Sequence, residues 1–66
     1  MQIVVNGKPR EAAPRLALPR LIDELQLGSR RVAVELNGAI VPRSAWERTE
    51  LADGDRLEIV HAIGGG

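Results

Sequence analysis

Two Asn-Gly dipeptides, Asn6-Gly7 and Asn37-Gly38, each stand directly after a short alternating run, and no other feature limits the fold as sharply. Both central positions of a two-residue hairpin turn need positive φ, which Asn and Gly tolerate at little cost. The chain is therefore expected to form two antiparallel strand pairs. In the first, Met1, Ile3 and Val5 point one way while Gln2 and Val4 point the other, the period-two pattern of a strand with one buried face. Its return through Pro9, Arg10 and Glu11 suits a sheet edge, because proline has no N–H to give to a ladder. In the second pair Val32, Val34 and Leu36 oppose Ala33 and Glu35, and the return begins at Ile40-Val41 before Pro42 interrupts it. A third turn, Asp53-Gly54-Asp55, opens the last strand, Arg56 to Ile63. There Leu57, Ile59, His61 and Ile63 share one face, and Arg56, Glu58, Val60 and Ala62 the other.

Between the two hairpins the period changes. Leu18, Leu21, Ile22 and Leu25 fall at i, i+3, i+4 and i+7, one apolar stripe along a helix. Pro19 is tolerated in the first turn, where its missing N–H leaves no bond unmade, and Gly28 is the expected stop. Ser44-Ala45-Trp46-Glu47 matches a capping box and predicts one short helical turn. The resulting order is strand, strand, helix, strand, strand, short helix, strand. One helix across one mixed sheet of about five strands buries every apolar stripe, a two-layer α+β fold.

With 66 residues and no Phe, no Tyr and one Trp, the core is aliphatic and leaves little room for a deep substrate pocket. Nine basic residues balance nine acidic ones and are spread along the chain, which argues against the clustered positive charge of a nucleic-acid partner. The absence of cysteine removes disulfides, thiolate metal sites and thiol redox chemistry. No apolar run approaches a membrane span, and the N-terminal residues lack a signal-peptide layout. The expectation is a cytoplasmic protein with no membrane partner.

The inventory for catalysis is thin: His61, Ser29, Ser44, one Thr and one Lys. Nucleophilic catalysis needs a nucleophile beside an oriented base, and no pair here meets that requirement. Asp23-Glu24 reads as a solvated helix face, and Asp53 with Asp55 as turn makers rather than metal ligands. No catalytic residue, cofactor-binding residue or metal ligand is assigned. Two readings stand for His61, a half-packed ring at the sheet's end, which is favoured, or a contact to a partner. Trp46 is expected to cap the core from the short helical turn, with a place in an interface as the weaker reading.

What remains is the end of the chain, Gly64-Gly65-Gly66. Glycine loses more freedom on ordering than any other residue, so composition alone describes a mobile end or a linker. Yet glycine can also thread a narrow channel, and a terminal glycine carboxylate is unhindered.

Asp53-Gly54-Asp55-Arg56-Leu57-Glu58-Ile59-Val60 followed by a Gly-Gly end resembles the ThiS family, the sulfur carriers of thiamine biosynthesis. Val34-Glu35-Leu36-Asn37-Gly38, Ile40-Val41-Pro42-Arg43 with Trp46 just after, and the start Met1-Gln2-Ile3 carry the same likeness, which covers the whole chain. The resemblance implies a β-grasp, ubiquitin-like domain over residues 1–63 and a flexible glycine tail over 64–66. It implies that Gly64, Gly65 and Gly66 enter the active sites of partners. There an E1-like adenylyltransferase activates the carboxylate of Gly66, and a sulfur donor protein converts it to a thiocarboxylate. Thiazole synthase then takes the sulfur. ATP and its metal act on the partner, and this chain itself holds no cofactor.

Two departures from the family pattern stand out. Ala17 occupies the helix entry where Thr or Ser is usual, so that entry should be less well tied. The tail has three glycines rather than two. The sheet face away from the helix is the expected docking face, with Val4, Ala33 and Val60 on it and Ala62 towards the tail. Whether these form a patch or a scatter stands level at this stage. The small subunit of molybdopterin synthase is the nearest rival, weakened because Val60-His61-Ala62-Ile63 lacks the aromatic and proline residues expected before its glycines. A non-catalytic β-grasp interaction module is the rival from another class.

Overall fold

The last strand holds the sheet together, because both hairpins pair with it. The computed structural model describes residues 1–28 and 30–61. Strands β1 (Gln2–Val5) and β2 (Lys8–Glu11) form the first hairpin, β3 (Val32–Leu36) and β4 (Ala39–Ile40) the second, and β5 (Arg56–His61) lies between them. The order is β2-β1-β5-β3-β4. Among the described residues only the β1–β5 contact is parallel, with Val4 beside Arg56 and Val5 beside Leu57. Helix α1 (Leu18–Glu24) and a 3-10 helix (Arg43–Arg48) complete the chain order read from the sequence.

The core lies between α1 and one face of the sheet. Ile3, Leu18, Leu21, Val34 and Leu57 are at most 1% exposed, and no polar or charged residue is buried among the described residues. Trp46 closes this core, 6% exposed, with its ring N–H donated to the Val41 carbonyl at 3.0 Å. That satisfies the one polar atom of a side chain otherwise suited to burial.

The Asn residues do more than turn the chain. Asn6 and Asn37 both adopt φ of 52°, as the hairpins require. Asn6 then donates its side-chain amide to the Ile59 carbonyl at 3.1 Å and accepts the Ile59 N–H at 2.8 Å. A side-chain amide offers the same donor and acceptor as a peptide group, so it continues the β1–β5 ladder after β1 has turned away. On the other side of β5, Asn37 accepts the Arg56 N–H at 2.9 Å and donates to Asp55 at 3.0 Å.

Two details differ from the sequence reading. Helix α1 stops at Glu24, short of Gly28. Gln26 takes φ of 61°, its N–H bonds the Asp23 carbonyl at 2.9 Å, and the Leu27 N–H reaches back to Ile22 at 3.0 Å. This is a Schellman motif, with a glutamine where glycine is usual. Leu27 packs against the core beside this turn, which compensates the left-handed backbone. The predicted capping box at Ser44 does not form either. The 3-10 helix begins two residues earlier because Pro42, extended at ψ 149°, already serves as N-cap, and Ser44 lies inside the helix.

At the entry to α1, Ala17 makes no side-chain cap, as its missing hydroxyl requires. Backbone supplies the tie instead. The Leu18 N–H donates to Thr49 and the Leu51 N–H to Leu16, both at 2.9 Å, through an isolated bridge between Ala17 and Glu50.

Candidate functional site

The tail residues Gly64, Gly65 and Gly66, and Ala62 of the docking face, lie outside the described residues. The molecule's site is therefore built from β5, the strand whose sequence continues into the tail, and from the sheet face beside it. Among the described residues nothing resembles a catalytic cluster, and no three His, Cys, Asp or Glu side chains gather at metal-binding distance. The carboxylates of the Asp53-Gly54-Asp55 turn are already engaged. Asp53 accepts the Gln2 N–H at 2.8 Å, and Asp55 accepts the Ala52 N–H at 2.8 Å. They make the turn, as the sequence suggests. Asp23 and Glu24 are exposed, and Glu24 pairs with Arg10 at 3.2 Å.

Strand alternation sends Val4, Ala33 and Val60 to the sheet face opposite α1. Ala33 and Val60 are direct cross-strand partners, and Val60 is 56% exposed. Val4, half-buried, sits one strand over beside Arg56. The apolar residues are not continuous, because the register sets a row of carboxylates between them. Glu35 of β3 stands opposite Glu58 of β5, both exposed. Ile40 is opposite Glu35 on the far side and is 71% exposed. The sequence reading missed Ile40 as a member of this face. Its strand has only two residues, too few to show a period, although the hairpin register through Asn37-Gly38 would have placed it there.

His61 is exposed, which corrects the reading of a half-packed ring. It shares the parity of Leu57 and Ile59, but the buried core along β5 ends at Ile59, leaving the ring beyond the packed layer. No helix among the described residues is long and apolar enough to cross a membrane.

Comparison with known proteins agrees with this picture. Residues 3–66 match the model of the ThiS family. The chain is 30% identical to the sulfur carrier protein ThiS of Escherichia coli, over all of both chains. It is 46% identical to a thiazole synthase of Paramagnetospirillum magneticum, over the whole of this chain but only 20% of that protein's length. Among solved structures it is similar to the thiamine biosynthesis protein ThiS of Geobacter metallireducens, with 38% identity, full coverage of both chains and a TM-score of 0.87. The five-stranded mixed sheet with one helix is thus the β-grasp fold of that structure. Matched in sequence and in fold over its length, the chain belongs to the ThiS family, the sulfur carriers of thiamine biosynthesis, and is a carrier rather than an enzyme.

Proposed function

We propose that sulfur is carried on the carboxylate of Gly66. An E1-like adenylyltransferase joins that carboxylate to the α-phosphate of ATP and releases pyrophosphate. Sulfide-level sulfur supplied by a sulfur donor protein then attacks the acyl carbon, forming the C–S bond of a thiocarboxylate as the C–O bond to AMP breaks. ATP and its metal sit on the adenylating partner. Activation comes first because a carboxylate is a poor electrophile until it bears a good leaving group, and dividing one difficult substitution into two easier ones is the logic of covalent catalysis. A chain without cysteine has no side-chain thiol to use in this role, which favours the terminal carboxylate.

The recipient is thiazole synthase. One observation carries this step: the whole of this chain matches a fifth of a protein named thiazole synthase, so in that relative a carrier-like unit and the synthase name share one polypeptide. The thiamine pathway is also favoured over molybdopterin by the family match and the solved relative. Docking uses the outward sheet face with Val4, Ala33 and Val60, with Ala62 towards the tail, and Gly64 and Gly65 threading the partner's channel because they carry no side chain.

The test is an intact-mass measurement after incubation with ATP, a sulfur donor and the adenylating partner. The expected result is a gain equal to oxygen replaced by sulfur, absent when Gly66 is deleted. An unchanged mass with a partner competent on another carrier would refute the proposal. Adding thiazole synthase together with its own substrates, which accept the sulfur, should then return the mass to its starting value.

A further inference from the structure

The pairing of Glu35 with Glu58 works against the free protein. Like charges directly opposite on neighbouring antiparallel strands destabilise a sheet, and this pair lies on the β3–β5 ladder, the longest among the described residues. Among the described residues the ion pairs are Met1 with Glu11 and Arg10 with Glu24, and neither involves the two outward carboxylates. Arg56 is on the same face, two positions before Glu58, yet it is not within ion-pair distance of either. Both carboxylates line one shallow groove of about 280 Å³, together with Val4, Asn37, Gly38 and Arg56. Exposed Ile40 and Val60 flank it.

We propose that this groove receives a basic side chain, an Arg or Lys, from the surface of the protein that activates the tail. The aliphatic stem of such a residue would lie along Val4, and its charged head would sit between the two carboxylates, where charge-assisted hydrogen bonds are strongest. Apolar partner residues would cover Ile40 and Val60 on either side of the carboxylates. A metal ion would need a third ligand that the groove does not offer. The seat is also near the chemistry along the chain. From Glu58 to Gly66 the backbone can extend at most about 28 Å, so the partner's basic residue lies within that distance of its nucleotide site. This inference rests on the adenylation reading for the identity of the partner, and not for the charge of the groove.

The experiment measures equilibrium binding of the full chain to the adenylating partner at low and high salt. It compares wild type with Glu35→Gln, Glu58→Gln and the double variant, and follows urea unfolding of each free protein. Each single substitution should raise the urea midpoint while weakening the complex. The double variant should bind about tenfold less tightly and lose most of the salt dependence. Glu47→Gln, on the exposed face of the 3-10 helix, should change neither property. Double-variant binding equal to wild type, or no wild-type complex at all, overturns the groove. A wild-type complex that forms in a salt-dependent way without any mass change leaves the groove standing and removes the sulfur-carrier chemistry of Gly66 instead.

Discussion

The two faces of the sheet are built from the same strands and obey opposite rules. On the covered face Ile3, Val5, Val34, Leu57 and Ile59 all fall at or below 9% exposure, with no buried polar group between them. On the open face Val60 of β5 and Ile40 of the edge strand β4 are more than half exposed, and β3 and β5 set Glu35 against Glu58. A sheet selected for stability alone would place opposite charges or β-branched pairs there. The difference teaches that the fold is carried by one face, which frees the other to be shaped by what the protein meets.

That contrast can be broken most forcefully from the covered side. Leu57 is 1% exposed near the start of β5, the central strand of the sheet. Leu57→Ala should cost about 2–5 kcal/mol through lost burial and the cavity left behind. For a domain this small that is much of the total stability, and a urea titration should show a far lower midpoint or no cooperative transition. A loss below about 1 kcal/mol would mean that the covered face is not the seat of stability.

The boundary between the two faces is tested at Asn6. Asn6→Asp keeps a residue that tolerates the left-handed turn but removes the amide donor to the Ile59 carbonyl. The expected loss is about 1–3 kcal/mol, that of an acceptor left without its partner. Asn6→Gly keeps the turn and removes both bonds, so the two variants together separate turn geometry from the ladder mimic.

The helix that covers the core offers a gain rather than a loss. Gln26 holds φ of 61°, a conformation costly for any residue with a Cβ. Gln26→Gly should stabilise by about 1 kcal/mol, read as a higher thermal midpoint with unchanged adenylation kinetics. A destabilised Gln26→Gly protein would show that the glutamine side chain contributes more than its backbone costs.

How far the sequence revealed these faces depended on how each signal is written. Alternation at Ile3 and Val5 and the stripe Leu18, Leu21, Ile22 were plain, because burial imposes a period that any window can read. The end of α1 was not, since Gln26 carries no mark of the left-handed turn it adopts, and Gly28 drew the prediction two residues too far. Ser44 misled in the same way. Its local pattern fits a cap, but Pro42 before it had already fixed the start of the helix. The β5-clamping role of Asn6 was hidden behind its turn signal, because Ile59 is 53 positions away and only topology brings them together. The open face was legible residue by residue as parity. The Glu35–Glu58 opposition appeared only once register was known, since a one-residue slip would have sent each carboxylate to the other face.

Val60 gives the smallest stability effect and the sharpest test of the difference between the faces. It lies two residues beyond Glu58 on β5, opposite Ala33, and most of its surface is already in water. Val60→Ser should therefore change stability by no more than about 0.5 kcal/mol, within the scatter of a careful urea titration. If the open face is a docking surface, the same substitution removes an apolar contact near the start of the tail. It should then raise the KM for the carrier in the adenylation assay while leaving kcat unchanged, because the reacting carboxylate is untouched. A matched Ile59→Ser variant, one position away and facing inward, should do the reverse and unfold the protein before any change in docking can be read. If Val60→Ser left both stability and KM alone, the exposed valine would be an ordinary surface residue, and the division of labour between the faces would rest on the carboxylates by themselves.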